Sequence, residues 1–560
     1  VEGVAAVAEP MRRTAVVLIS LALVAAACGD DTGGLFTTTT TGPSATTVTT
    51  PGTTTGTTSG AIDEYPEAIV DAYMEGCSAE SGAPFCQCTI EEFEARLTLG
   101  EFLNLDTDAL ESDPVAMDVI GICLRLLDDQ GGTTVAGGTT TLPEFTPITD
   151  IEDIIDISIT DLEEYWAEEL PATFGVEYQS PTFIGPYFIS EGDVPECGGP
   201  LDPSSYEQNA FYCSIDDSVQ WDHETLMTPL FEEFGDFTVA LVLAHEWGHA
   251  IQERFGFDDF NNPTIVSELQ ADCLAGAWTG RVAREESDNI RLEPGDLEEA
   301  MAGFLLIGDS LGSAPGGPNA HGGSFDRLNA FFEGYNSGAG QCATYEDTPP
   351  QVIFIPLVEG DDPVEGGDLP LADAGPLLAD ALEVFWSLVY PDFFGEEWVP
   401  LGGIVPYRPS TGNFPACGGF TESADFYPGN VFYCQADDYI AWDDEVLFPS
   451  LYSEIGDFAI GLVLANEYGR AVQTRLGLPI EGVEAQLQTD CMAGVWTAAL
   501  LPIDENPMGI YLSAGDLEEG IAGFLQLSAN PGAEGAATAF DRFEAFKDGF
   551  FDGLTVCGLG

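Results

Sequence analysis

A mostly apolar run from Phe237 to Ala244 leads straight into His245-Glu246-Trp247-Gly248-His249. An apolar stretch of that length, continued at helical spacing, predicts a largely buried helix. Asp236 is placed to cap its start and Gly256 to end it. A second helix is expected to begin near Asn262 and Pro263, with Ile265, Leu269, Ala271 and Leu274 as apolar positions around Glu268 and Asp272. Nearer the N-terminus, Ile90 to Leu99 and Val115 to Leu127 also carry helical patterning. Both lie in a small unit, residues 62–130, bounded by linkers at 29–61 and 131–147 that are rich in Thr and Gly.

The pattern then recurs. Trp166 to Cys197 and Trp386 to Cys417 have equal spacing, with Pro171 matching Pro391 and Pro186 matching Pro406. Leu241-Val242-Leu243-Ala244 returns as Leu462-Val463-Leu464-Ala465, and Gly295-Asp296-Leu297-Glu298-Glu299 as Gly515-Asp516-Leu517-Glu518-Glu519. Residues 148–348 and 367–560, joined by a linker at 349–366, therefore read as two copies of one domain. Each is too long for a solenoid repeat and is expected to own a core.

Charge narrows the partners. The chain has 560 residues, with 14 Lys plus Arg against 96 Asp plus Glu, a formal net charge of -82. Such a surface repels phosphate backbones and anionic headgroups, so nucleic acid is not an expected partner. A saline habitat or calcium binding would suit this acidity, although no EF-hand loop is present.

Residues 11–28 read as an export signal. Met11, Arg12 and Arg13 give a basic start, Ala15 to Ala27 is apolar, and Cys28 follows three alanines. That position favours a lipidated Cys28 anchoring the protein to the outer face of a bacterial membrane. Plain secretion is the alternative, because Ala25-Ala26-Ala27 also suits an ordinary signal peptidase. The apolar run is too short for a transmembrane helix.

The 13 cysteines divide into Cys28 and three sets of four, as in a disulfide-bonded exported protein. In the small unit, Cys77, Cys86, Cys88 and Cys123 are expected to form disulfides. A zinc site is the alternative, but the spacing of Cys86 and Cys88 is unlike the usual zinc pairs. In the two copies the expected pairs are Cys197–Cys213, Cys273–Cys342, Cys417–Cys434 and Cys491–Cys557.

His245-Glu246-Trp247-Gly248-His249 is H-E-x-x-H. Residues four apart share a helix face, so both imidazoles aim at one point, and Glu246 projects beside them as a candidate general base. A catalytic zinc needs a third protein ligand and keeps a fourth position for water. Glu268 is the candidate third ligand. Asp272, four residues on and on the same face, is expected to accept a hydrogen bond from a ligand histidine.

These residues resemble the bacterial putative neutral zinc metallopeptidases, a gluzincin-like group. The resemblance runs from about Trp166 to Tyr345 and rests on Ala244-His245-Glu246, Gly248-His249 and Glu268-Leu269-Gln270-Ala271-Asp272-Cys273. His321-Gly322 and Gln341-Cys342 add to it. It implies a mixed metallopeptidase fold, here of class α+β, and one Zn2+ on His245, His249 and Glu268. The expected architecture is two tandem helix-rich, zincin-like domains preceded by the small helical disulfide-bonded domain. The resemblance also suggests that His321 and Arg327 lie beside the metal, where His321 would stabilise the oxyanion.

The second copy has lost this chemistry. Its zinc helix reads Asn466-Glu467-Tyr468-Gly469-Arg470, Gln486 replaces Glu268, and Ala536 replaces His321. It is expected to bind no zinc and to be catalytically dead. Asp490 and Arg542 persist there, which points to a partly structural role for Asp272 and Arg327. His223, matched by Asp444, reads as a surface residue.

The expected function is zinc-dependent hydrolysis of peptide bonds in peptide or protein substrates at the bacterial cell surface. A non-catalytic scaffold with a structural zinc is the alternative. The sequence leaves the substrate and the oligomeric state open.

Overall fold

The computed structural model describes residues 150–560, except 258–262, 318–319, 359, 363–365, 503–505, 529–535 and 560. The signal at 11–28, Cys28, both tethers and the four-cysteine unit lie outside the described residues. The fold is α+β and helix-rich.

The first repeat opens with α1 (Ile151–Phe174), capped by the Asp150 carboxylate and ended by Gly175. Strands β1 (Phe183–Tyr187), β2 (Ala210–Cys213) and β3 (Ser218–Asp222) follow. They form one sheet in the order β1-β3-β2, parallel on one side of β3 and antiparallel on the other. Every residue of β3 is buried, as befits a central strand, and β2 is left as an edge. Next come α2 (Thr228–Phe234), α3 (Asp236–Phe255), α4 (Thr264–Ala283), α5 (Asp296–Ile307), α6 (Ser324–Ser337) and the single turn α7 (Ala339–Cys342).

The second repeat has the same order. It contains α8 (Leu371–Phe394), β4 (Gly403–Tyr407), β5 (Val431–Cys434), β6 (Tyr439–Asp443) and α9 (Leu447–Glu454). Then follow α10 (Asp457–Leu476), α11 (Val483–Ala499), α12 (Asp516–Leu527) and α13 (Ala539–Asp552). Its sheet order, β4-β6-β5, repeats the first.

Glycines let the central helices approach closely. A Cβ on Gly334 of α6 would lie 1.8 Å from the Cys273 carbonyl of α4, and one on Gly276 would lie 2.0 Å from that of Phe331. Gly549 and Gly494 repeat this between α13 and α11, each with a prospective contact of 1.9 Å. Disulfides Cys273–Cys342 and Cys491–Cys557 tether the same regions, while Cys197–Cys213 and Cys417–Cys434 tie each edge strand to the loop before it.

Two local expectations change. Asp236 does not cap α3: it is the first helical residue, Gly235 is the cap, and the acceptor for Phe237 N–H is Glu299 Oε2 at 3.0 Å. His223 is not a surface residue, because its side chain is only 13% exposed, reaches Glu152 at 3.4 Å and packs against Phe188.

The cores also differ from the expected pair of separate ones. Buried residues of both repeats form one continuous cluster, with a small satellite under the second sheet. Phe325 and Phe332 of α6 meet Phe540, Phe543 and Phe550 of α13, with Phe332 and Phe540 stacked at 4.2 Å. The phenylalanine-rich faces are too apolar to leave in water, so each covers the other. The linker follows this seam, with Val352, Ile353 and Ile355 packed on the core. Among the described residues no helix is long and apolar enough to cross a membrane.

Candidate metal centre

His245 and His249 sit one turn apart on α3, and Glu268 faces them from the first half of α4. Gly248 allows that approach: a Cβ there would lie 2.8 Å from Ala271 Cα. His245 Nε2 is 3.1 Å from His249 Nε2 and 3.3 Å from Glu268 Oε2, and His249 Nε2 is 3.5 Å from the same oxygen. Ligand bonds of about 2.0–2.1 Å at tetrahedral angles space their atoms about 3.3 Å apart. The three atoms therefore form one face of a zinc-sized tetrahedron, and two imidazoles with one carboxylate are a donor set that zinc accepts.

Each imidazole is held by its other nitrogen. His245 Nδ1 lies 2.7 Å from Asp272 Oδ1. Asp272 in turn accepts from Arg327 Nε and Nη2, both at 2.8 Å, and Arg327 Nη1 donates to the Ile307 carbonyl at 2.7 Å. The Asp272–Arg327 pair is almost fully buried. His249 Nδ1 lies 2.9 Å from Gln252 Oε1, and Gln252 Nε2 donates to the Ser267 carbonyl at 2.6 Å. Both rings thus present Nε2 to the shared point.

The field favours positive charge there. Burial raises the Glu268 carboxyl, but the charge of His249 and its hydrogen-bonded imidazoles outweigh this and hold it well below the carboxylate range. Burial lowers His245, yet the Asp272 charge and hydrogen bond overcome it and bring the imidazole to about 10. His249 also rises, chiefly because the Glu268 charge outweighs its burial. A divalent cation supplies the charge this arrangement holds.

Glu246 is buried on the same helix and takes no hydrogen bond among the described residues. His321 accompanies the centre rather than joining it. It is absent from the group of three converging ligand atoms, and its Nδ1 lies 3.2 Å from Asp309 Oδ1. Asp309 also accepts the His321 and Gly322 N–H groups at 2.9 Å each. A Cβ on Gly322 would touch Leu269 at 3.3 Å and Arg327 at 3.4 Å, so the His321 loop lies against the site helix.

The second repeat fills the same space with hydrogen bonds. Arg470 donates to Glu467 at 3.1 Å and to Gln486 at 3.2 Å, and Gln486 donates to Asn466 at 2.7 Å. Glu467 also accepts Tyr433 N–H of the edge strand β5 at 2.7 Å. Gln473, the counterpart of Gln252, keeps its bond to a backbone carbonyl, of Ala485 at 2.8 Å, but its Oε1 is buried without a partner. The histidine that would donate to it is Arg470 here. No motif in the sequence singles out Gln252 or Asp309, although a glutamine three residues after the second ligand position in both repeats is a signal for the first.

An uncharacterised protein of Escherichia coli K12, YpfJ, is 34% identical over 158 residues, covering 24% of this chain and 53% of the relative. The uncharacterised Rv2575 of Mycobacterium tuberculosis H37Rv is 30% identical over 159 residues, covering 24% of this chain and 54% of the relative. The chain thus spans about half the length of the curated relatives it matches. No solved structure matches it. Residues 146–345 match the model of one family, the putative neutral zinc metallopeptidases, and it is this part of the chain that is similar to that family.

Proposed function

We propose that the first repeat is a zinc-dependent hydrolase of peptide bonds, with one ion held by His245, His249 and Glu268. The convergence of those three ligand atoms at tetrahedral spacing carries the reading. Bound zinc supplies Lewis acidity at the scissile carbonyl and acidifies water. Glu246, a buried carboxylate that takes no hydrogen bond among the described residues, takes the proton of the attacking water and returns it to the leaving amine. Asp272 and Gln252 hold the two imidazoles in one tautomer, and Arg327 keeps Asp272 in place. His321, fixed through Nδ1 by Asp309, offers Nε2 to the developing oxyanion.

In this reading the second repeat is a dead copy, because Arg470 puts a cation where a ligand would be and occupies the base, Glu467. Export and a lipid anchor on Cys28 belong to the same proposal and rest on the 11–28 segment alone. Radiolabelled palmitate incorporated by the chain but not by Cys28→Ala supports the anchor, and incorporation by neither removes it.

Zinc content of the full chain by elemental mass spectrometry tests the centre. One equivalent is expected, lost in Glu268→Gln and kept in Glu246→Gln, with peptide hydrolysis abolished in both. A folded chain without zinc overturns the site. Zinc without hydrolysis of any peptide leaves the scaffold reading, and undiminished hydrolysis by Glu246→Gln removes Glu246 from the mechanism.

A further inference from the structure

A second group of potential ligands lies at the start of α10, in the repeat that has lost the zinc residues. Carboxylate oxygens of Asp368, Asp457 and Glu519 lie within 4.8 Å of one another. Asp457 is the first residue of α10, Glu519 stands in the first turn of α12, and Asp368 lies just before α8. Three acidic groups from three separate segments thus meet, Asp457 and Glu519 buried and Asp368 on the solvent side.

Backbone donors satisfy part of this group. Leu369 N–H reaches Asp457 Oδ2 at 3.0 Å, and Phe458 N–H reaches Glu519 Oε2 at 2.8 Å. Asp457 Oδ1 has no hydrogen-bond partner among the described residues, although Asp457 is only 4% exposed. Among the described residues no Arg, Lys or His pairs with Asp457 or Glu519. A buried, unsatisfied oxygen on a carboxylate grouped with two more is costly unless a cation or protons neutralise it. Burial and mutual repulsion accordingly push the Glu519 carboxyl well up.

The first repeat has a parallel group. Oxygens of Asp236, Asp296 and Glu299 lie within 4.8 Å, and Phe237 N–H donates to Glu299 at 3.0 Å. Gly235 and Gly456 adopt φ of 108° and 141°, and a Cβ on either would lie 2.1 Å from the glutamate carboxylate above it. The helix-start aspartate and the glutamate persist in both repeats, whereas the zinc ligands do not. Their role is therefore separate from the zinc centre.

We propose that Asp368, Asp457 and Glu519 hold a calcium-class divalent cation that ties the segment before α8 to the starts of α10 and α12. The donor set contains only oxygen, which selects a hard cation over zinc. Backbone carbonyls or waters would complete its shell, and the ion would neutralise the oxygen that the protein leaves unpaired.

Calcium titration of the demetallated full chain by calorimetry, in salt high enough to screen the acidic surface, tests this. Saturable binding and a calcium-dependent rise in Tm are expected for the wild type. Both should persist in His245→Ala, which damages only the zinc centre. In Asp457→Asn the calcium stoichiometry should fall by one and the Tm response should shrink. Glu519→Gln serves the same purpose if Asp457→Asn does not fold. No saturable binding to folded wild type, or undiminished stoichiometry in a folded carboxylate variant, overturns the site and leaves the group neutralised by protons. Loss of calcium binding in His245→Ala also overturns it, by assigning the signal to the zinc centre.

Discussion

Asp272 takes two N–H donors from Arg327, at Oδ1 and Oδ2, each at 2.8 Å, while the same Oδ1 meets the His245 imidazole at 2.7 Å. Asp490 and Arg542 keep this pair at 2.8 and 2.9 Å where no histidine remains. The pair thus has two separable roles: it fastens α6 to α4, as α13 is fastened to α11, and in the first repeat it also orients a metal ligand.

Asp272→Asn and Asp490→Asn separate those roles. Removing one partner of a buried ion pair costs about 3–5 kcal/mol, so denaturant melts should show both variants destabilised to that order. Only Asp272→Asn should weaken zinc, by about 10–100-fold in chelator competition. Equal zinc affinity in the two variants would sink the orienting role.

Gln252→Ala should weaken zinc to a similar degree, about 10–100-fold, because His249 Nδ1 loses its acceptor. Gln473→Ala should leave zinc unchanged, since its Oε1 is already without a partner. The same chelator competition checks both.

Asp326 predicts a pH dependence. Burial, reinforced by the charge of Glu518, raises its carboxyl from 3.8 to about 8 against one opposing bond from Ile353 N–H. A group whose pKa is raised on folding contributes stability that is full below its unfolded pKa. That contribution is lost as pH climbs to the folded value. The chain should therefore lose stability between about pH 4 and about pH 8, and Asp326→Asn should flatten that slope. Urea melts across the window measure it, and an unchanged slope would exclude Asp326 as a contributor.

Gly334→Ala should destabilise by at least about 1–3 kcal/mol, since its new Cβ would meet the Cys273 carbonyl at 1.8 Å and force α6 away from α4. Gly340→Ala, with nothing within 4 Å, should be close to neutral. Thermal melts of the two variants give the comparison.

The sequence by itself brought the candidate ligands together in pairs, because ligand spacing on a helix is a local property. Four residues make about one turn, so His245 with His249, and Glu268 with Asp272, had to share faces whatever the rest of the chain did. The helix-rich α+β class was implied by the family resemblance that these residues carry, and the two repeats could be compared position by position without coordinates. The tertiary structure decided what local spacing cannot encode. Glu299 caps α3 from 62 residues away, the seam of Phe332 and Phe540 merges two expected cores into one, and Asp368, Asp457 and Glu519 meet from three segments. Periodicity fixes which residues share an element's face, whereas the partner of that face is chosen only when separate elements pack and every buried donor, acceptor and ring must find a neighbour.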